Sequence, residues 1–195
     1  MKIKSIFLQM ILSLTGIALV AAFALGYVYE FTKGPILKAQ IEKQMRAIEA
    51  VIEGEYSNDP LNENYKVAFE PDDSLTIYPA KNNEVVSGIA VKAITGLGYS
   101  GEIGIMVGYR TDGSIFNIQV LDHKETPGLG TKMTEPKFYE QFMNKNPSKD
   151  DLRVTKDGGT IDAIAGATIT SRAYCDAVNK AYAAVNDLND EERTE

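Results

Sequence analysis

The 195-residue chain has one cysteine, one histidine and no tryptophan, and its 27 acidic residues outnumber its 20 basic ones. A single cysteine, Cys175, excludes an intramolecular disulfide and a metal cluster held by cysteines alone. A single histidine, His123, argues against a zinc or haem site built from several histidines. Redox work by such a chain therefore falls to a bound organic cofactor, and we assign no metal ligands. The net charge of −7, with lysine and arginine scattered along the chain, argues against nucleic acid as a partner.

Charge is also missing locally. Residues 5–29 carry none, and they are apolar enough to cross the hydrocarbon core as a tilted helix. Tyr27 and Tyr29 at the end of the run suit a membrane interface. Ala22-Phe23-Ala24 has the form of a signal-cleavage site, but the run exceeds a signal core, so we read a retained anchor. Lysines and an arginine flank the run on both sides, so the positive-inside count does not fix orientation.

After the anchor, Pro35 suits the first turn of a new helix, continued by Ile41, Met45, Ile48 and Ile52 and stopped by Gly54. Residues 55–74 are rich in Asn, Asp and Pro and read as loop. Strands are expected at Leu75–Tyr78, Val85–Lys92, Gly101–Tyr109 and Ser114–Asp122. Thr111-Asp112-Gly113 supplies a tight hairpin between the last two. Gly96, Gly98 and Gly101 make a loop in which backbone can meet a ligand face. Pro127-Gly128 suits the centre of a type II turn, with His123, Glu125 and Thr126 just before it. Such a loop can offer N–H groups and polar side chains to a polar ring. A short amphipathic helix over 135–145 puts Phe138 and Phe142 on one face. The last helix carries Tyr174, Val178, Ala181, Val185 and Leu188, with Cys175 as a small core residue. The tail from Asp190 is charged and suits a frayed end.

The chain is organised around Asp162-Ala163-Ile164-Ala165-Gly166-Ala167-Thr168-Ile169-Thr170-Ser171. Small residues, three hydroxyls and a helix start coincide there, with the helix read over 171–188. The first N–H groups of a helix are unpaired and carry the positive end of its dipole, so an anionic group is welcome. A plainer alternative is an ordinary N-cap made by Thr170 or Ser171.

These motifs carry a resemblance. His123-Lys124-Glu125-Thr126-Pro127-Gly128-Leu129-Gly130, Phe138-Tyr139-Glu140-Gln141-Phe142 and Gly166-Ala167-Thr168, after one membrane helix, resemble the G subunits of Rnf ion-translocating electron-transport complexes. They are also similar to the C subunit of the sodium-translocating NADH:quinone reductase. The resemblance implies an α+β fold: one N-terminal transmembrane helix, then a periplasmic FMN-binding domain with an antiparallel twisted sheet and packed helices. The expected divisions are 1–32 as anchor, 33–74 as connecting helix and loop, and 75–195 as FMN-binding domain.

The resemblance further implies FMN joined by a phosphodiester to Thr168. Asp162, Gly166 and Ala167 match the family pattern, and the chain departs from it at Ala165, where a hydroxyl residue is usual. Thr170 and Ser171 are fallback acceptors. His123, Glu125 and Thr126 are the loop residues expected near the ring. No residue is assigned a catalytic role. The implied function is a non-autonomous subunit of an ion-translocating oxidoreductase, passing electrons through its flavin. Its implied partners are membrane and peripheral subunits of the complex, a flavin transferase during maturation, and inner-membrane lipid, with the domain on the periplasmic side. Two alternatives stand beside it: an FMN-domain protein outside such a complex, and a flavin-free interaction module.

Overall fold

The computed structural model describes residues 2–70 and 73–192. The chain divides into two units, Met1–Lys43 and Gln44–Glu195.

The first unit lies within helix α1 (Lys2–Val51). From Ile6 to Phe31 its large apolar side chains are exposed, and the helix is long and apolar enough to cross a membrane. A helix apolar on all sides has no single face for a soluble core. Pro35 lies inside α1 and does not open a separate helix, contrary to expectation. The preceding Gly34 has no Cβ for the pyrrolidine ring to strike, which eases the restriction that a proline places on the residue before it.

The second unit contains a five-stranded antiparallel sheet in the order β1-β2-β3-β4-β5. The strands are β1 (Tyr65–Glu70), β2 (Asp73–Asn82), β3 (Val85–Thr95), β4 (Ile103–Arg110) and β5 (Ile115–His123). Sequential hairpins join them, so each strand pairs with its neighbour in the chain. Strand β1 and the start of β2 occupy residues expected to be loop. The polar sequence misleads there because β1 is an edge strand, where one side of the ladder needs no partner. The Thr111-Asp112-Gly113 hairpin forms as expected: Gly113 has φ +79° and donates its N–H to Arg110 O at 2.9 Å.

The sheet is covered on both faces. Leu75, Ile77, Val91, Ala93, Ile105 and Val107 bury one face against helix α3 (Thr168–Glu192), through Ala173, Tyr174, Ala177, Val178 and Ala181. Tyr78, Ala80, Ala90 and Met106 bury the other against Ala47, Ile48, Val51 and Ile52. Odd and even residues of a strand point to opposite faces, so Ile103 through Tyr109 are all buried and β4 reads as a continuous apolar run. Gly108 is required at the second contact, because a Cβ there would strike the carbonyl of Val51. Asn117 Nδ2 donates to Ala50 O at 2.9 Å, satisfying an otherwise orphan carbonyl at the end of α1.

The expected helix over 135–145 is shorter. Helix α2 (Pro136–Tyr139) passes into a 3₁₀ turn, Glu140–Phe142. Asn144 then adopts φ +62° and donates its N–H to Ile115 O at 2.8 Å, pulling the chain back to the sheet. Phe138 and Phe142 are buried, both packed at 5.2 Å between ring centroids on Tyr174. Cys175 is buried, and desolvation pushes its thiol up to about 12, so it is a core residue and not a nucleophile. Of the apolar stripe on α3, Tyr174, Val178, Ala181 and Val185 are buried; the Leu188 side chain and the tail residues 193–195 lie outside the described residues.

Candidate functional site

Three loops and the first turn of α3 enclose a pocket of about 630 Å³. The β3–β4 loop gives Tyr99, the loop after β5 gives Glu125, Thr126, Leu129 and Gly130, the loop before α3 gives Lys156, and Gly166 through Thr170 close it.

The α3 end begins with a turn. Gly166 has φ +78°, a left-handed conformation that favours glycine, and Ala167 N–H donates to Ile164 O at 2.9 Å. Helix α3 starts at Thr168, three residues earlier than expected, and Ser171 N–H makes the first α-helical bond to Ala167 O at 3.0 Å. The hydroxyls of Thr170 and Ser171 do not cap the helix. Ser171 Oγ accepts from Ile164 N–H at 2.9 Å and donates to Ala167 O at 3.0 Å, locking the turn from inside the core. Thr170 Oγ1 donates to Glu125 Oε2 at 2.8 Å. The N–H groups of Thr168, Ile169 and Thr170 therefore have no acceptor among the described residues. Thr168 is half-buried and its hydroxyl faces Lys156, whose Nζ donates to Oγ1 at 3.4 Å.

Glu125 is the inner wall. It is 5% exposed, and its carboxylate joins three segments. Oε1 accepts from Ser100 N–H at 3.1 Å and Oε2 accepts from Thr170, while its own N–H donates to His123 Nδ1 at 3.3 Å. Gly130 is small because of it, since a Cβ there would lie 2.5 Å from Oε2; a Cβ on Gly98 would first strike the Gly101 carbonyl at 2.2 Å and would also lie 2.9 Å from Oε1. The turn at Pro127-Gly128 forms as expected, with Gly128 at φ +75° and Leu129 N–H donating to Thr126 O at 3.2 Å.

The predicted residues fall into two groups. Thr126, Glu125, Gly166, Ala167, Thr168 and Thr170 line the pocket; His123 and Ser171 stand behind its wall and support Glu125 and the turn. Asp162 is exposed and outside the lining, its backbone bracketed by the Gln141 amide, which accepts from N–H at 2.7 Å and donates to O at 3.3 Å. Lys156 and Ile169 were missed. Lys156 is twelve residues from Thr168 in a stretch that reads only as a charged loop, so no local pattern marks it.

The rim is apolar. Tyr99, Leu129 and Ile169 are exposed at 69, 44 and 47%. Chemically, one end offers a hydroxyl, an ammonium and three free N–H groups to an anion, and the remainder offers apolar surface to a flat ring.

Residues 98–183 match the family model of the FMN-binding domain, a span that contains every residue lining the pocket. The chain is 37% identical over 175 residues to the G subunit of the ion-translocating oxidoreductase complex of Pseudomonas aeruginosa (strain UCBPP-PA14), covering 84% of this chain and 81% of that one. It is 35% identical over 186 residues to the protein of the same name from Aliivibrio fischeri (strain ATCC 700601 / ES114), covering 89% and 86%. The crystal structure of Shewanella oneidensis NqrC matches with a TM-score of 0.42 at 22% identity, over 70% of this chain and 65% of that one.

Proposed function

The chain belongs to the family of G subunits of ion-translocating oxidoreductase complexes, and from that premise we propose that it carries electrons through an FMN bonded to Thr168. It is a non-autonomous subunit of an ion-translocating oxidoreductase and serves electron transport there. Its FMN-binding domain follows a helix long and apolar enough to cross a membrane.

The residues present fit FMN. A cavity of about 630 Å³ is in the range that holds a ligand of this class. The anion-binding end suits the phosphate, and the apolar rim suits the isoalloxazine ring. One observation carries the choice of acceptor. Of the three hydroxyls on the first turn of α3, Ser171 lies outside the pocket lining, Thr170 donates to Glu125, and Thr168 lines the pocket without donating to an acceptor among the described residues. The N–H groups of Thr168, Ile169 and Thr170, which have no acceptor among the described residues, and the positive end of the α3 dipole would receive a phosphate on Thr168.

When bound, FMN supplies the electron-accepting and electron-donating chemistry. The protein holds its phosphate at Thr168, shields its ring with Tyr99, Leu129 and Ile169, and fixes the pocket through Glu125. A covalent phosphodiester keeps the cofactor at any free FMN concentration. We place the domain on the periplasmic side of the inner membrane as a single-pass protein among other subunits, with a flavin transferase making the bond.

Peptide mass spectrometry of the protein from its native membrane tests this reading. Residues 157–172 are expected to carry the mass of FMN less water on Thr168. Modification of Thr170 or Ser171 moves the site. An unmodified peptide, with the transferase present and no flavin fluorescence on a denaturing gel, sinks the covalent reading and favours a flavin-free interaction module.

A further inference from the structure

The loop before α3 is built more firmly than its charged sequence suggests. Thr155–Asp157 is a 3₁₀ turn. Thr155 N–H donates to Ile161 O at 2.8 Å, and Asp157 N–H donates to Val154 O at 2.8 Å. Arg172, one turn into α3, clamps Asp157 with two bonds of 2.7 Å from Nε and NH2. That pair spans fifteen residues and ties the loop to the helix that carries Thr168. Lys156 is the residue before Asp157, in the middle of the 3₁₀ turn that this strap holds. Its ammonium lies 3.4 Å from Thr168 Oγ1, and it is the one cationic side chain lining the pocket among the described residues.

We propose that Lys156 is the phosphoryl-binding residue of the flavin site, acting both while the Thr168 bond forms and after it has formed, and that the Asp157–Arg172 pair is its positioning device. This rests on the reading that Thr168 is the acceptor.

The chemistry requires such a charge. Joining FMN to an alcohol by simple loss of water has no driving force in water, so the proposed co-reactant is a phosphoanhydride of FMN with a nucleoside monophosphate, a flavin dinucleotide. Thr168 Oγ1 forms a bond to the flavin-side phosphorus. The anhydride P–O bond breaks, and its electron pair leaves with the nucleoside monophosphate. The Oγ1 proton passes to that leaving group, and nothing is oxidised or reduced. Negative charge gathers on the non-bridging oxygens of the transferring phosphorus, one bond from Oγ1. An ammonium already at Oγ1 meets that charge, and the free N–H groups of the first turn of α3 meet it from the helix side. Lysine suits the task as a compact point charge on a mobile stem. Thr168 Oγ1 accepts the Lys156 hydrogen bond, which leaves its own proton free for removal.

The test is the full chain co-expressed with a flavin transferase, read as covalent flavin per protein by intact mass and in-gel fluorescence over time. Lys156→Gln is expected to slow flavin attachment about tenfold or more, Lys156→Arg to restore most of the rate, and Arg172→Gln to fall between them. Intact mass is needed because the glutamine variant removes a tryptic site. Lys156 is exposed, so the melting temperature of the unmodified Gln variant should match the parent, which separates charge from fold. In the loaded protein, the phosphorus NMR shift of the diester is expected to move in Lys156→Gln and not in a surface control such as Lys124→Gln. Parent protein loaded at Thr168, with Lys156→Gln loading at the same rate and giving the same phosphorus shift, overturns this proposal alone. Parent protein that never carries flavin on Thr168 overturns the reading beneath it.

Discussion

The two ends of the candidate pocket treat their polar groups in opposite ways. At the Glu125 wall, both carboxylate oxygens, the Ser100 N–H and the Thr170 hydroxyl are mutually paired, and Gly130 makes room for them. At the Thr168 end, two residues away along α3, three N–H groups have no acceptor among the described residues. Folding tolerates unpaired donors only where water or a ligand can reach them. The satisfied end is therefore architecture, and the unsatisfied end is where the ligand belongs.

Thr168→Val breaks the comparison at the ligand end and carries the largest functional effect. Covalent flavin is expected to disappear from a denaturing gel, while stability changes by less than about 0.5 kcal/mol, because a half-buried hydroxyl with one weak partner is removed. The same gel and a urea titration check both halves of that statement.

Glu125→Ala breaks the architectural end. It strands the Ser100 N–H and the buried Thr170 hydroxyl and leaves a void, so a loss of about 2–3 kcal/mol is expected in chemical denaturation. Glu125→Gln sharpens the result. Its amide oxygen still accepts from Ser100, and its NH₂ can donate to Thr170, so the loss should stay under about 1 kcal/mol. Equal losses for Ala and Gln would mean that the charge, and not the pairing, holds the wall.

Gly130→Ala is next. The added Cβ would lie 2.5 Å from Glu125 Oε2 and 2.9 Å from Thr170 Oγ1, forcing the wall apart at about 1–3 kcal/mol. Gly104→Ala, where a Cβ would meet nothing closer than 3.8 Å, is the control expected to differ little.

The smallest effect is a pH dependence of the strap. Hydrogen bonds from Arg172 hold the Asp157 carboxyl below its ordinary value of 3.8. A folded-state value lower than the unfolded one stabilises fully above 3.8 and is lost as pH falls through the lower value. Melting temperatures of the parent and Asp157→Asn should thus differ at pH 5–7 and converge as pH drops below 3.8. A constant difference across that range would remove Asp157 as the titrating group.

Much of this was legible in one dimension. The Thr111-Asp112-Gly113 hairpin and the Pro127-Gly128 turn are local geometry, set by residues that favour or tolerate particular dihedrals. The α3 stripe and the apolar run of α1 are local periodicity. Strand β1 was hidden because an edge strand needs little apolar content. Pro35 misled because a proline can also lie inside a long helix, and Gly34 before it has no Cβ to restrict the helical backbone there. The start of α3 was misplaced because Thr170 and Ser171, good capping residues in isolation, were claimed by Glu125 and by the turn at Ile164.

The sequence by itself determined the membrane-length helix, four of the five strands and the turns at Asp112-Gly113 and Pro127-Gly128, the exclusion of metal clusters held by several cysteines or histidines, and the Gly-Ala-Thr segment with its family resemblance. Only the tertiary structure shows that the Thr170 and Ser171 hydroxyls are hydrogen-bonded within the protein, that Glu125 ties two loops to α3, and that Lys156 stands beside Thr168. Local signals depend on residues a few positions apart, which backbone sterics alone couple. The division of polar groups into paired and unpaired depends on partners such as Glu125 and Thr170, forty-five residues apart, which only the packed chain brings together.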